Sequence, residues 1–255
     1  MTIWIGTSGW IYRHWVGRFY PSDLPPQEYL PYYARHFATV EINRSFYRLP
    51  SRAQFQLWAE QVAFHPRFRF AVKASRYLTH MKKLRDVAEP QARLLEAVRG
   101  LGQRLGPLLY QLPPHWRSDL ERLATFLHGL PPGLEVAFEF RDPSWLQGAE
   151  GERLGALLAE HGCALVMAVG GTLSTPVELP ATAAFRYLRF HAGQQGPCFS
   201  EAELSFWAEW LLREAAAGRQ CYVYFNNDSQ GYALRNAVRL RELVASRLGT
   251  GVVPC

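Results

Sequence analysis

Eight short, mostly apolar runs recur along the chain, and most of them end downstream in a polar or ionisable residue. TVEIN, FRFAVKAS, PLLYQLP, LEVAFEFR, FRYLRFH and CYVYFNND carry Glu41, Lys73, Gln111, Glu139, His191 and Asn226 at those ends. An unpaired buried charge is costly, so buried strands have no reason to end this way repeatedly unless their ends meet. In an eight-stranded β/α barrel they do meet: every strand points the same way and all carboxyl ends open onto one mouth.

The runs fall at residues 3 to 7, 39 to 43, 68 to 74, 107 to 112, 134 to 140, 164 to 169, 184 to 191 and 221 to 226. Helical periodicity fills the gaps at Gln27 to Phe37, Arg52 to Val62, Glu89 to Leu101, Asp119 to Leu127, Trp145 to His161, Glu201 to Ala217 and Gln230 to Leu248. Ser51, Ser200 and Ser229 each precede a helical stretch, with Glu203 at the capping-box position after Ser200. Gly100, Gly162 and Gly218 stand where helices should stop. Only TLSTPVELPATA, after the sixth run, lacks a helical pattern, because Pro176 and Pro180 interrupt it. Strands alternating with helices over short connections imply a parallel sheet, and eight repeats favour closure over an open, doubly wound sheet. The expected fold is α/β, a single eight-stranded parallel β/α barrel of the TIM type. The 255 residues match the length of one such barrel, and no Pro-, Gly- or Ser-rich linker divides them, so residues 1–255 read as one domain.

Hydrophobic residues make up 48% of the chain, enough for a large core, yet no run of 18 or more is apolar throughout. The opening MTIWIGTSGW has neither the basic segment nor the apolar stretch of a signal peptide. A cytoplasmic protein without membrane contact is expected. Cys163, Cys198, Cys221 and Cys255 show no CxxC spacing and read as packing residues rather than a disulfide framework or zinc site. The net charge of +6 is spread along the helices, which suits a small anionic ligand and gives nucleic acid only weak support. Oligomeric state is not legible.

Residues two apart on a strand share a face about 6 to 7 Å apart, which pairs Glu41 with Asn43, Glu139 with Arg141 and Arg189 with His191. A carboxylate beside a cation stays ionised while burial raises another, so Glu41, Glu139, Lys73 and His191 are the candidate catalytic groups. Lys73, Arg141 and Arg189 would position an anion, and Asn43, Gln111, Asn226 and Asn227 would orient hydroxyl or carbonyl groups. Trp10, Tyr12, Tyr47 and Trp145 would stack a sugar or base, or instead pack the loops as lids. The bland reading is a closed lumen network in which Glu41 with Lys73, or Glu139 with Arg189, neutralise each other without chemistry.

Three functions stay open. The leading one is an enzyme working by acid and base on a small anionic, phosphorylated or sugar-like substrate. The others are a non-catalytic binder of a nucleotide or nucleic acid, and a glycoside hydrolase with Glu41 and Glu139 as its carboxylate pair. A divalent metal is compatible with His191, Glu41, Glu139, His80 and Asp228, although no HxH, DxD or HExxH spacing marks a site and His80 reads as a surface loop residue. No nucleotide-cofactor motif is present, and Ser8 in GTSGW reads as a turn hydroxyl rather than a nucleophile.

IGTSGWIY at 5 to 12, FYP at 19 to 21, VEINRSFYRLP at 40 to 50, FAVKAS with Thr79 and His80, LLYQLPP at 108 to 114, AFEFRDPSW at 137 to 145, YLRFHA at 187 to 192 and YVYFNND at 222 to 228 occur in order. Together they resemble the YecE-like family, a domain of unknown function widespread in bacteria and archaea. The resemblance spans nearly the whole chain and implies a β/α barrel with no established activity. It carries over Gly6, Thr7, Gly9, Trp10, Tyr12, Glu41, Asn43, Phe46, Tyr47, Lys73, Gln111, Pro113, Glu139, Arg141, Trp145, Arg189, His191, Phe225, Asn226 and Asn227. Two departures stand out: AVGG at 168 to 171 replaces a frequent Asp at the sixth strand end, and HAGQQGPCF replaces an HG followed by a Tyr-containing loop.

Overall fold

The computed structural model describes residues 2–171 and 174–248. Eight parallel strands close into one barrel in sequence order: β1 Ile3–Ser8, β2 Thr39–Ile42, β3 Arg69–Lys73, β4 Leu105–Gln111, β5 Val136–Glu139, β6 Ala164–Val169, β7 Phe185–Phe190 and β8 Gln220–Phe225. Closure is made by β1 against β8, from Ile3 beside Cys221 to Thr7 beside Phe225.

Alternation along each strand sorts side chains into two apolar clusters. Ile3, Ile5, Val40, Ile42, Val72, Tyr110, Phe138 and Phe190 point outward under the helices. Trp4, Ala71, Leu109, Ala137, Val166, Phe185, Tyr187, Tyr222 and Tyr224 fill the lumen. Trp4 stacks flat on Tyr222 at 4.6 Å, and the Tyr222 hydroxyl donates to Glu135, which closes the floor of the barrel. The lumen parity then delivers Ser8, Glu41, Lys73, Gln111, Glu139, Ala168 and Arg189 to the opposite end. Gly6, on that same inward face, lies against the next strand so closely that a Cβ would sit 2.2 Å from the Thr39 carbonyl oxygen.

The helices are α1 Tyr29–Ala34, α2 Arg44–Tyr47, α3 Arg52–Gln61, α4 Ala88–Val98, α5 Leu120–His128, α6 Gly148–Glu160, α7 Glu201–Ala216 and α8 Tyr232–Leu248. Ser51 caps α3, and Ser200 with Glu203 forms a complete capping box on α7. Gly162 and Gly218 end their helices in the left-handed region. Gly100 does not: a 3-10 segment over Arg99–Arg104 carries the chain past it, and Gly102 takes the positive φ instead. Gly100 is required by a close approach, since a Cβ there would lie 2.2 Å from the Arg52 carbonyl oxygen. Ser229 also departs from expectation. It lies inside a 3-10 turn, Ser229–Gly231, whose preceding Asp228 makes no cap because Trp15 and His14 hold its carboxylate.

No helix occurs among the described residues between β6 and β7, as the prolines require; Thr172 and Leu173 of that link lie outside the described residues. Cys163, Cys198 and Cys221 are unbridged, and Cys255 lies outside the described residues. No described helix is long and apolar enough to cross a membrane.

Candidate active site at the strand ends

Backbone bonds continuing the ladders fix the ends of the strands. Gly9 N donates to Glu41 O, Leu112 N to Glu139 O, His191 N to Val169 O and Asn226 N to Phe190 O, each at 2.8 Å. These bonds hold the Glu41, Glu139, His191 and Asn226 main chains in strand geometry where a loop would otherwise begin.

Arg189 is the hub. Its Nε and Nη2 donate to the two oxygens of Glu41 at 3.0 and 2.8 Å, and Nη1 donates to Glu139 Oε2 at 2.6 Å. Glu41 also accepts from the Ser8 hydroxyl and the Tyr187 hydroxyl, both at 2.6 Å. Four donors saturate that carboxylate, which leaves it no lone pair for a substrate. Ser8 is therefore a buried donor to Glu41 rather than a turn hydroxyl. The lumen network foreseen as neutralising forms only in part: Arg189 joins Glu41 to Glu139, while Lys73 enters no salt bridge among the described residues.

Glu139, fully buried like Glu41, meets two further groups on its other oxygen. Arg141 Nη1 donates to Oε1 at 3.0 Å, and His191 Nε2 lies 3.3 Å from the same atom. Asn226 Nδ2 stands 3.3 Å from His191 Nδ1; donation there leaves the imidazole proton on Nε2, facing Glu139. Burial alone would raise the carboxyl pKa values of Glu41 and Glu139. Arg189 overrides it in both, helped by Ser8 and Tyr187 at Glu41 and by His191 and Arg141 at Glu139, and both end below the usual carboxylate range.

Lys73, 9% exposed, ends β3. The Ser45 hydroxyl ties α2 to this strand end by donating to Lys73 O at 2.6 Å, which brings the Phe46 ring to 4.1 Å from Nζ. Nζ donates to Gln111 Oε1 at 2.8 Å. Burial first, and Arg189 second, lower the amine to about 8. His80 packs edge-on against Phe46 at 4.9 Å, and burial with the Lys73 charge lowers it to about 4. It is a half-buried neighbour of Lys73, not a surface loop residue.

The remaining expected binding residues divide. Asn43 Oδ1 is buried and makes no hydrogen bond among the described residues. With Trp10, Tyr12 and Trp58, Asn43 lines a cavity of about 300 Å³ beside the mouth. Tyr47 is 75% exposed on the rim. Trp145, by contrast, is fully buried, donates to Trp116 O and packs on Phe140, so no ring face is open to a ligand. Asn227 is buried too, and its amide holds Pro197 O and Asn236, anchoring a loop. Tyr187 was missed, although its place two residues before Arg189 puts it on the same face. Phe46 was signalled only by the family motif, and His80 by that motif and as a candidate metal ligand. No group of three His, Cys, Asp or Glu side chains among the described residues is placed to hold a metal ion.

A closed parallel barrel with charged side chains gathered at the carboxyl ends of its strands is a TIM-type β/α-barrel protein. The chain belongs to the DUF72 family of proteins of unknown function, whose model matches residues 4–252. It is 31% identical to the UPF0759 protein YecE of Escherichia coli K12 over 162 residues, 63% of this chain and only 56% of that protein's length. It is 24% identical to the UPF0759 protein YunF of Bacillus subtilis across 95% of this chain and 94% of that one. A DUF72 family crystal structure from Thermotoga maritima superposes with a TM-score of 0.82 at 27% identity, covering 96% of this chain and 99% of that one.

Proposed function

We propose that the mouth is the active site of an enzyme that binds a small anionic, phosphorylated or sugar-like substrate and moves a proton on it. The observation that carries this reading is the chain Asn226, His191, Glu139: an oriented imidazole against an ionised carboxylate, with Arg141 beside it. Arg141 and Lys73 supply positive charge that the two carboxylates do not fully cancel. Asn43, with its unpaired oxygen, and Gln111 are suited to orient substrate hydroxyls. Arg189 supports the site by holding Glu139 ionised, and Glu41 by holding Arg189 in place. A glycosidase needs one carboxyl kept protonated, and both here are driven the other way, which weakens that alternative.

Thermal-shift and calorimetric titration with inorganic phosphate, ribose 5-phosphate and glucose 6-phosphate tests the proposal. Stabilisation by at least one of them, weak in salt dependence and lost in Arg141→Leu, is expected. No shift at millimolar ligand, or a shift that survives Arg141→Leu, overturns it. A steep salt slope with oligonucleotides would favour the nucleic-acid binder instead.

A further inference from the structure

We infer that Lys73 is a nucleophile that captures the carbonyl carbon of a small anionic aldehyde or ketone as an imine. The inference rests on the reading of the mouth as an anion-binding active site, and it names the substrate class.

The first observation is compositional. Only three of the 28 basic residues are lysines: Lys73, Lys82 and Lys83. Arginine serves everywhere else in the chain, including the two other mouth cations, Arg141 and Arg189. An arginine cannot lose its proton, so it can hold an anion but cannot attack a carbonyl. The one mouth position carrying lysine is thus the one position where a cation able to become a neutral amine stands.

The second observation is geometric. Arg189 takes both mouth carboxylates, so Lys73 Nζ has one hydrogen bond, to Gln111 Oε1, and no counter-ion among the described residues. A lysine kept for structure alone would be expected to pair with Glu41 or Glu139, because an uncompensated buried ammonium is unfavourable. The Phe46 face and the half-buried His80 form a partly apolar wall around the amine. Burial beside another cation is the environment that activates lysine for imine chemistry. With the amine lowered to about 8, about a tenth of it is unprotonated at pH 7.

The neutral amine adds to the carbonyl carbon, forming a C–N bond as the carbonyl π pair moves to oxygen, and one proton passes from nitrogen to that oxygen. A second proton then reaches the carbinolamine hydroxyl, the C–O bond breaks, water leaves, and the nitrogen lone pair completes C=N. The net change is ammonium plus carbonyl to iminium plus water. Glu139 with His191 is a pair able to carry the proton, and Arg141 offers charge for the anionic end of the substrate.

The test is reductive trapping. The whole protein is incubated with dihydroxyacetone phosphate, pyruvate or glyoxylate in the presence of sodium cyanoborohydride, and the modified lysines are located by peptide mass spectrometry. Lys82 and Lys83 serve as reference amines within the same molecule. At least one probe is expected to label Lys73 more than about tenfold faster than either reference. Lys73→Arg, which keeps the charge but cannot form an imine, is expected to abolish that adduct. If every probe leaves Lys73 unmodified, or labels it no faster than Lys82 and Lys83, the inference is overturned, and the wild-type map decides this even if the variant does not fold. Loss of trapping with Arg141-dependent phosphate binding intact removes the imine alone; loss of both removes the active-site reading as well.

Discussion

At the scale of single residues, Arg189 and Glu41 show why a buried ion pair is read as support rather than as catalyst. Each is almost completely shielded from solvent, and their attraction offsets a desolvation cost that neither could bear alone. Glu41→Gln keeps the shape but leaves Arg189 with Glu139 as its only charged partner. Unfolding in urea at pH 7 is expected to show a loss of about 3 to 5 kcal/mol. Glu41→Leu, Arg189→Met and Glu139→Leu together should recover much of it, since the three linked charges then leave together; a single variant costing under about 1 kcal/mol would show the pair to be dispensable. Glu41 was legible from its strand end, but its partner was not. Lys73 and Arg189 are equally good candidates in sequence, and only the barrel's closure selects Arg189.

Among elements, the strands were the most legible part of the chain because alternation with period two marks them directly. β4 begins two residues earlier than expected and β5 is trimmed at both ends, changes that leave Gln111 and Glu139 in place. What escaped were the pieces too short to show a helical period: α2, which seats Phe46 over Lys73, and the single π turn Tyr77–Met81, which brings His80 alongside. The link leaving β6 has its own constraint. Gly170 has φ +72, and a Cβ there would lie 1.9 Å from the Ala192 carbonyl oxygen. Gly170→Ala must push the His191–Ala192 backbone, at an expected cost of about 2 kcal/mol or more. Calorimetry should register that loss, and the His191 ring signals should move in the NMR spectrum. Unchanged ring signals would mean that the two backbones are not coupled.

For the molecule as a whole, the strand-end charges set the response to acid. His80 is lowered to about 4 from an ordinary value near 6.5, so the unfolded chain binds its proton first and stability declines as pH falls through that interval. Glu41 and Glu139 lie below their ordinary range, so their contribution is complete above about pH 4.5 and is lost as pH drops toward their folded values. Chemical denaturation from pH 7 to 3 should therefore show a gentle decline followed by a steep one, and His80→Phe should weaken only the first, to which His36 and His65, also lowered by burial, contribute. A single steep phase in both proteins would contradict this order.

Ala168 stands level with Arg189 on the neighbouring strand, at the place where a side chain from β6 would join the ring of charges. Because Arg189 is spent on the two glutamates, the mouth is electrically lopsided: Lys73 and Arg141 make the arc from β3 to β5 cationic, while the β6 sector is neutral. On the proposed reading, a molecule with one negative end would feel a torque before any contact and would turn that end toward β3 and β5.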